Sequence, residues 1–144
     1  MTDEKREFEE FMKRRESAAN AYAGGDVAPL ASMVTHNDPA TFFSPKGDYN
    51  EGPEQVLAIY KRDATQFQSG ESHFEILQMG ASGDIGYWTG FQKAIVTLEK
   101  APDPVVFNLR VTEIFRRESG EWKLIHRHAD APAVTQKAPE ESRR

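Results

Sequence analysis

The stretch Gly-Glu-Trp-Lys-Leu-Ile-His-Arg-His at residues 120–128 decides the fold of this chain. The residues that lead into it, Glu118-Ser119-Gly120-Glu121, are a hairpin signal. After this turn, aromatic and branched side chains are interspersed with charged ones, as in a strand whose two faces differ. We therefore predict that residues 121–131 form the last strand of an antiparallel sheet.

The residues before this strand have the same character and are joined by short turns. Ser82-Gly83-Asp84 is a second hairpin signal, and Ala101-Pro102-Asp103-Pro104 is a rigid connection. Gly86 and Gly90 lie inside the strand between them, where a glycine indicates a bend or a close approach of another backbone. Together these signals predict four long strands, at about residues 72–81, 84–99, 104–117 and 121–131. Consecutive hairpins of this length form a curved antiparallel meander.

The N-terminal half has helical spacing instead. Mostly apolar side chains recur at helical intervals over residues 3–23, and Gly24-Gly25 ends this first helix. Its stripe consists of Phe8, Phe11, Met12, Arg15, Ala19 and Tyr22. Asp26 is a suitable N-cap for a short second helix, a strand follows at 40–43, and a third helix is predicted from Glu51 to about Gln68. Helices followed by long strands are typical of an α+β domain.

Length and composition restrict the class of protein. A chain of 144 residues suits one domain, which we predict at residues 1–133, followed by a polar, disordered tail at 134–144. The absence of cysteine excludes disulfides and thiolate metal sites. A formal charge of −5 argues against nucleic acid, and no apolar run has the length of a signal peptide or a membrane span. We therefore expect a cytoplasmic protein that binds neither nucleic acid nor membrane and has no cofactor.

Strand alternation distributes apolar side chains over both faces of the predicted sheet. The helices cover one face, and we assign four apolar residues to the opposite, outer face: Trp88, Ile114, Trp122 and Leu124. Because no predicted helix remains to cover them, we expect a homodimer that forms through the outer face.

The order of three segments resembles the NTF2-like superfamily and, within it, SnoaL-like and ketosteroid-isomerase-like domains. The segments are Gly25-Asp26-Val27, Glu-Gly-Pro-Glu-Gln-Val at 51–56, and the stretch at 120–128. The pattern is closest to the association-domain branch, which includes the hub of calmodulin-dependent kinase II. The resemblance covers about residues 5–133. It implies an α+β cone in which N-terminal helices and a curved sheet enclose one pocket, and a dimer across the outer face.

This resemblance leaves two functions open, because the superfamily includes isomerases, polyketide cyclases, epoxide hydrolases, dehydratases and non-catalytic hubs. One is a small-molecule site for an apolar carbonyl or carboxylate compound, used by an isomerase, cyclase or dehydratase if the chain is an enzyme. The other is an association module that assembles copies of the chain.

Glu113 is the candidate catalytic residue. It shares a strand face with Leu109, Val111 and Phe115, where a carboxylate needs a partner or a proton. The resemblance places Glu113 at the acidic oxyanion-hole position of ketosteroid isomerases, which implies a general acid or hydrogen-bond donor. Arg127 lies on the same predicted face of the next strand. The two residues are then a structural ion pair or an anchor for an anion or a carbonyl group, with Arg127 binding a carboxylate through its planar fork, unless one of them faces solvent.

The resemblance also implies which residues line the pocket. The catalytic aspartate of ketosteroid isomerases, which precedes a proline, corresponds to Ser44 in Phe42-Phe43-Ser44-Pro45. Since serine cannot act as a base at neutral pH without an activating neighbour, the family mechanism for steroids is not expected. Strand alternation and the resemblance turn Ile125, Arg127 and Ala129 inward. Further candidates, each more often a core residue than a ligand contact, are Tyr22, Tyr60, Tyr87, Thr89 and Phe91.

His126 and His128 face the dimer side in this assignment. Two histidines two residues apart on a strand, with Asp130 as a third ligand, could chelate zinc. We favour the alternative, in which both histidines form hydrogen bonds in an interface, and predict no metal site.

Overall fold

A computed structural model describes residues 2–131 of the chain. This range contains three helices and six strands. The helices are α1 (Thr2–Ala23), α2 (Ala28–Met33) and α3 (Pro53–Ala64), and the strands are β1 (Thr41–Phe43), β2 (Tyr49–Glu51), β3 (Phe67–Ser82), β4 (Ile85–Leu98), β5 (Val105–Glu118) and β6 (Glu121–Asp130). None of the helices in this range is long and apolar enough to cross a membrane. The tail predicted at 134–144 lies outside the described residues.

The six strands form one sheet in the order β2-β1-β6-β5-β4-β3. Strands β3 to β6 are antiparallel neighbours in chain order, which is the predicted meander. The short strand β1 pairs in parallel with β6, and β2 returns antiparallel to β1. Helices followed by a curved, mostly antiparallel sheet confirm the predicted α+β fold class.

Several element boundaries differ from the prediction. Helix α3 ends at Ala64, and the apolar Phe67 that extended the predicted helix instead begins β3, where its ring meets Tyr22 edge-on at 5.4 Å. Strand β2 was not predicted, because three residues after a turn give too short a pattern. The carboxylate of Asp26 accepts the N–H of Ala28 at 3.1 Å, although the N-cap of α2 is the next residue, Val27.

Helix α1 covers the inner face of the sheet and also protects an edge strand. The side chains of Asn20 and Glu16 accept the backbone N–H groups of Ser72 and Phe74 on β3 at 2.9 and 2.7 Å. Such contacts occupy edge donors that could otherwise pair with another chain. At the other end of α1, the ring of Phe8 lies so close to Gly86 that an added Cβ would approach it to 2.5 Å.

The predicted assignment of Trp88, Trp122 and Leu124 to the outer face is wrong, since all three are buried on the inner face. On β6 the cause is a β-bulge. His126 pairs with Ile114 whereas Leu124 pairs with Phe115, so that Ile125 is an extra residue. The bulge shifts the alternation by one residue, and the two halves of β6 therefore face the core with opposite parity.

On β4 the inner row consists of even-numbered residues, from Gly86 to Val96. Trp88 therefore faces α1, and its ring stacks on Phe74 with centroids 4.3 Å apart. Gly90 lies where the register of β3 shifts, and an added Cβ would meet the carbonyl oxygen of Glu75 at 2.1 Å. The predicted close approach of another backbone is thus present at Gly90, whereas the close neighbour of Gly86 is the side chain of Phe8.

Candidate functional site

A cavity of about 360 Å³, here called the core cavity, lies between α1, α3, the β1–β2 hairpin and the inner face of the sheet. Its walls are mainly apolar, and four aromatic rings belong to them: Tyr22, Phe42, Phe67 and Phe107. This volume is within the usual range of about 300–1,000 Å³ for small-molecule sites.

The polar lining of the core cavity falls into two groups. Gln92 and Arg127 are buried, with 7% of each residue exposed, and mark its inner end. The second group, here called the rim, is more accessible and mixes both signs of charge with neutral polar groups: Ser44, Lys46, Asp48, Asn50, Arg62, Asp63 and Gln66. A ligand that enters past the rim therefore meets apolar walls and then a single buried guanidinium.

Two neighbours hold the guanidinium of Arg127. Its Nη1 donates to Oε2 of Glu113 at 2.6 Å, and its Nη2 donates to Oε1 of Gln92 at 2.6 Å. The amide of Gln92 is itself oriented, because its Nε2 donates to Oγ of Ser72 at 3.0 Å. The predicted contact between Glu113 and Arg127 is thus present, within a larger buried network.

Glu113 is saturated with donors. Its Oε1 accepts Nε of Arg15 at 2.9 Å and Nε1 of Trp88 at 2.8 Å, while its Oε2 accepts Nη2 of Arg15 at 2.7 Å as well as Arg127. Burial alone would raise the pKa of Glu113, but the charges of Arg15 and Arg127 and the hydrogen bonds outweigh it and lower the pKa to about 2. The carboxyl group is therefore ionised at neutral pH.

This environment argues against the predicted role of Glu113 as a general acid or hydrogen-bond donor. An ionised carboxylate has no proton to donate, and Glu113 is 0% exposed, so that a molecule in the core cavity does not reach it. Four donors also occupy the sites at which a proton would bind. The geometry fits Glu113 as the residue that positions Arg127.

The buried network carries an uncompensated charge. Arg15 and Arg127 are buried and share the single carboxylate of Glu113, which leaves one positive charge among the three groups. Burial alone would lower the pKa of Arg127, but the charge of Glu113 outweighs it and raises that pKa, so the guanidinium stays charged. A buried excess charge costs free energy because it has lost part of its hydration, and an anion bound nearby would reduce this cost.

The buried Nη1 of Arg15 has no hydrogen-bond partner in the described part of the chain, and Tyr60 adds a second unsatisfied group to this region. Its hydroxyl is buried and has no hydrogen-bond partner among the described residues. Burial raises the pKa of Tyr60 more than the positive charge of Arg127 lowers it, so the hydroxyl keeps its proton. The ring stacks on Phe42 with centroids 4.9 Å apart and therefore supports the wall of the core cavity from behind.

The rim contains two acidic groups that the sequence did not reveal as site residues. The hydroxyl of Ser44 makes a short hydrogen bond to the carboxylate of Asp48, and it accepts the backbone N–H of Lys46 at 3.2 Å. Gly47, with φ of +95°, closes the turn that brings Asp48 back to Ser44. Asp63 reaches the rim from the last turn of α3.

The structure separates the predicted lining residues into four groups. Tyr22, Ser44 and Arg127 line the core cavity, whereas Tyr60 and Ala129 are buried in the adjacent core. Ile125 is the bulge residue and is only half-buried. The remaining three were predicted to face inward, but the alternation of β4 turns them to the outer face: Tyr87, Thr89 and Phe91. Thr89 and Phe91 border a separate depression of about 300 Å³ there.

The histidines of β6 also lie on the outer face. Nδ1 of His126 is 2.7 Å from the hydroxyl oxygen of Thr41, and the ring of Phe43 meets both imidazoles edge-on at 5.3 and 5.5 Å. Burial, followed by the charge of His128, lowers the pKa of His126. Within residues 2–131, no cluster of three or more histidine, cysteine or acidic side chains could hold a metal ion.

Comparisons with known proteins agree with this architecture. A solved structure of a proposed dehydratase of the NTF2-like family from Streptomyces avermitilis is similar, with a TM-score of 0.75, 20% identity, and coverage of 88% of this chain and 97% of that chain. A proposed calcium/calmodulin-dependent protein kinase II association domain from Xanthomonas campestris has a TM-score of 0.69 and 14% identity, and covers 90% and 89% of the two chains.

A third structure, a proposed aromatic ring hydroxylase from Novosphingobium aromaticivorans, has a TM-score of 0.69, 16% identity, and coverage of 88% and 87%. At these identities the structures establish the fold alone. A search of curated protein sequences found no match. The sequence profile of the SnoaL-like domain, however, matches residues 14–134, which is most of the chain. The chain therefore belongs to the SnoaL-like family of NTF2-like proteins.

Proposed function

We propose that the chain binds a small organic anion in the core cavity, with Arg127 as the anchor for a carboxylate. The observation that carries this proposal is the uncompensated charge. Arg15 and Arg127 share one carboxylate, and Arg127 faces a cavity whose walls are otherwise mainly apolar. A bound monoanion would neutralise the network, and its apolar body would remain among apolar side chains.

The geometry of Arg127 supports a carboxylate in particular. A guanidinium has five N–H groups, and two of them are bonded to Glu113 and Gln92 within the described residues, which leaves three for a ligand. The planar arrangement of these groups matches the two oxygens of a carboxylate, and such charge-assisted bonds are about twice as strong as neutral ones. A carbonyl ligand could also accept from these groups, but because it is neutral it would leave the excess charge in place.

A thermal-shift comparison of organic acids with their primary amides tests the proposal. The two ligands of each pair have nearly the same shape and differ in charge. We expect the acids to raise Tm, by a few degrees at about ten times Kd, and the amides to have no effect. Equal stabilisation by both members of the pairs, or by none of the acids, would contradict an anion site.

The matched variants are Arg127→Gln and Arg62→Gln. Arg127→Gln leaves Glu113 bonded to Arg15 and Trp88, and the remaining pair is neutral, so we expect this variant to fold. It should lose the response to acids. Arg62→Gln removes an exposed positive charge from the rim and should keep that response. A loss of the response in both variants would point to a general electrostatic effect rather than to an anchor.

A second candidate function is proton transfer in the same cavity, as in an isomerase, cyclase or dehydratase. The observation that favours it is the carboxylate of Asp48, which lies beside Ser44 at the rim and could act as the general base that Ser44 cannot be. Exchange of hydrogens next to the carbonyl of oxo acids in D2O, followed by NMR, tests this function. Catalysed exchange should disappear in Asp48→Asn. Exchange no faster than in buffer would leave binding as the function.

We also propose that two copies associate through the outer face. Three apolar side chains of this face are well exposed, Leu77 at 66%, Ile95 at 48% and Val106 at 71%. Patches of this kind mark interaction sites in soluble proteins. The homodimer was predicted from Trp88, Trp122 and Leu124, and these three exposed side chains now take their place as the basis for it. Light scattering at micromolar concentration should give twice the chain mass, and a larger ring would support the association module instead.

A further inference from the structure

We infer that the ligand of the core cavity is an aryl carboxylate, with a flat ring on Phe42 and a carboxylate that reaches Arg127 through a short linker. This inference rests on the proposed anion site and adds the class of the organic body. Two observations carry it, the arrangement of the aromatic side chains in the wall and the position of Phe42 relative to Arg127.

The aromatic side chains form a continuous wall. The ring of Phe42 is stacked on Tyr60, with planes 20° apart, and Tyr60 meets Tyr22 edge-on at 6.0 Å. Tyr22 in turn meets Phe67 edge-on, with planes 89° apart. Because Tyr60 supports Phe42 from behind, the orientation of the Phe42 ring is fixed. Phe42 is itself only 6% exposed, so a planar ligand ring packs against the part of the Phe42 ring that borders the core cavity or meets the edge of Tyr22. Offset and edge-on contacts of this kind are favourable between aromatic rings.

The sheet places the aromatic wall next to the cation. Phe42 on β1 and Arg127 on β6 are direct partners in the parallel pairing, and both line the core cavity. Neighbouring strands are only about 4.7–4.9 Å apart. The side chain of Arg127 extends from β6 over β5 to Gln92 on β4, on the side away from β1. A ligand ring on Phe42 therefore needs a short linker of one to a few carbon atoms for its carboxylate to reach the guanidinium.

The rim argues against a long aliphatic chain. A fatty acid with its carboxylate on Arg127 would extend its tail towards Lys46, Asp48 and Arg62, which are exposed and charged. Apolar atoms gain little free energy beside hydrated charges. A compact body that ends within the aromatic wall avoids this contact and suits a cavity of about 360 Å³.

Matched acids test the inference. The aryl members are benzoate, phenylacetate and 3-phenylpropionate, and the saturated members are cyclohexanecarboxylate, cyclohexylacetate and 3-cyclohexylpropionate. Burial of apolar area alone would favour the bulkier saturated rings. Aromatic pairing is expected to reverse this order, so that the aryl acid of at least one pair binds about 2- to 10-fold more tightly by calorimetry.

Two variants test whether Phe42 is the residue that causes the preference for aryl acids. Phe42→Leu should abolish the preference for aryl acids and retain the preference of acids over amides, because Arg127 is unchanged. Phe107→Leu is the control, since it removes another aromatic residue of the core cavity that is not paired with Arg127, and it should keep most of the aryl preference. Circular dichroism checks that both variants fold. If Phe42→Leu does not fold, the comparison of ligands on the wild-type chain still tests whether aryl acids bind more tightly than saturated acids.

The outcomes separate the two proposals. Saturated acids that bind as tightly as aryl acids, with the corresponding amides still excluded, would overturn the aryl inference and leave the anion site intact. A preference for aryl acids that survives in Phe42→Leu would overturn the assigned ring position. If acids of neither kind bind better than amides, the proposed function itself fails.

Discussion

At the residue scale, Glu113 and Arg127 show which contacts can be predicted from the alternation of side chains along a strand. Strand alternation together with the family resemblance placed both on one face and predicted their contact. The third member of the network, Arg15, lies 98 residues before Glu113 in the chain. Arg15 belongs to the mostly apolar stripe of α1, and this position predicts that the side chain is buried. It does not predict the hydrogen-bond partner, because the packing of the helix on the sheet decides which strand Arg15 meets. Gln92 lies in a similar apolar row on β4.

Replacement of Glu113 should be among the most destabilising single changes in this chain. Glu113→Gln leaves two buried guanidinium groups without a counter-charge, and loss of one partner from a buried ion pair costs about 3–5 kcal/mol. The matched control is Glu75→Gln, which breaks an exposed pair with Lys93 at 3.4 Å and should cost less than about 1 kcal/mol. Urea denaturation measures both free energies of unfolding. Similar losses in the two variants would contradict the assigned network.

The low pKa of Glu113 predicts a specific loss of stability in acid. The pKa is about 2 in the folded chain against an ordinary value of 4.5, so between these values the unfolded state binds more protons and stability falls as pH falls. The full contribution, of the order of 3 kcal/mol, is present above about pH 5. The difference in unfolding free energy between wild type and Glu113→Gln should therefore shrink from pH 5 towards pH 2. A constant difference over this range would show that Glu113 does not titrate as described.

At the element scale, the sequence predicts the existence of the long strands better than the faces they present. Turn residues mark the ends of β4, β5 and β6 to within one residue. The bulge at Ile125 leaves no comparable signal, because an extra residue in one strand is defined only relative to its partner. The predicted lining residues Ser44, Arg127 and Tyr22 do line the core cavity. The outward-facing residues of β4 were misassigned, because the predicted alternation of inward and outward side chains on this strand was wrong by one residue.

Gly90 should be intolerant of any side chain. Gly90→Ala would place a Cβ 2.1 Å from the carbonyl oxygen of Glu75, which is backbone and can move only with β3. We expect a loss of about 1–3 kcal/mol in unfolding free energy, as for overpacked cores. Gly80→Ala is the control, because its nearest neighbour at 3.1 Å is the partly exposed ring of Tyr87, which can shift. A smaller loss for Gly90→Ala than for Gly80→Ala would contradict the close approach of the two strands.

At the scale of the whole molecule, the two proposed functions fall on opposite faces of the sheet. The inner face, with α1 and α3, encloses the core cavity, whereas Ile95 and Val106 are direct neighbours on the outer face. Stable protein interfaces bury about 800 Å² on each partner, which the broad face of a six-stranded sheet can provide. Association and ligand binding are therefore expected to be separable by mutation.

The variant Ile95→Lys/Val106→Lys tests this separation. Four extra charges at a two-fold interface should give a monomer by light scattering, because like charges without partners are costly to bury. Lys13→Glu, on the exposed side of α1, is the control and should leave the dimer unchanged. Since the core cavity lies on the inner face, the monomeric variant should still prefer organic acids to their amides in the thermal-shift comparison. If the monomer folds but no longer responds to acids, the outer face contributes to the site and the two tasks are coupled.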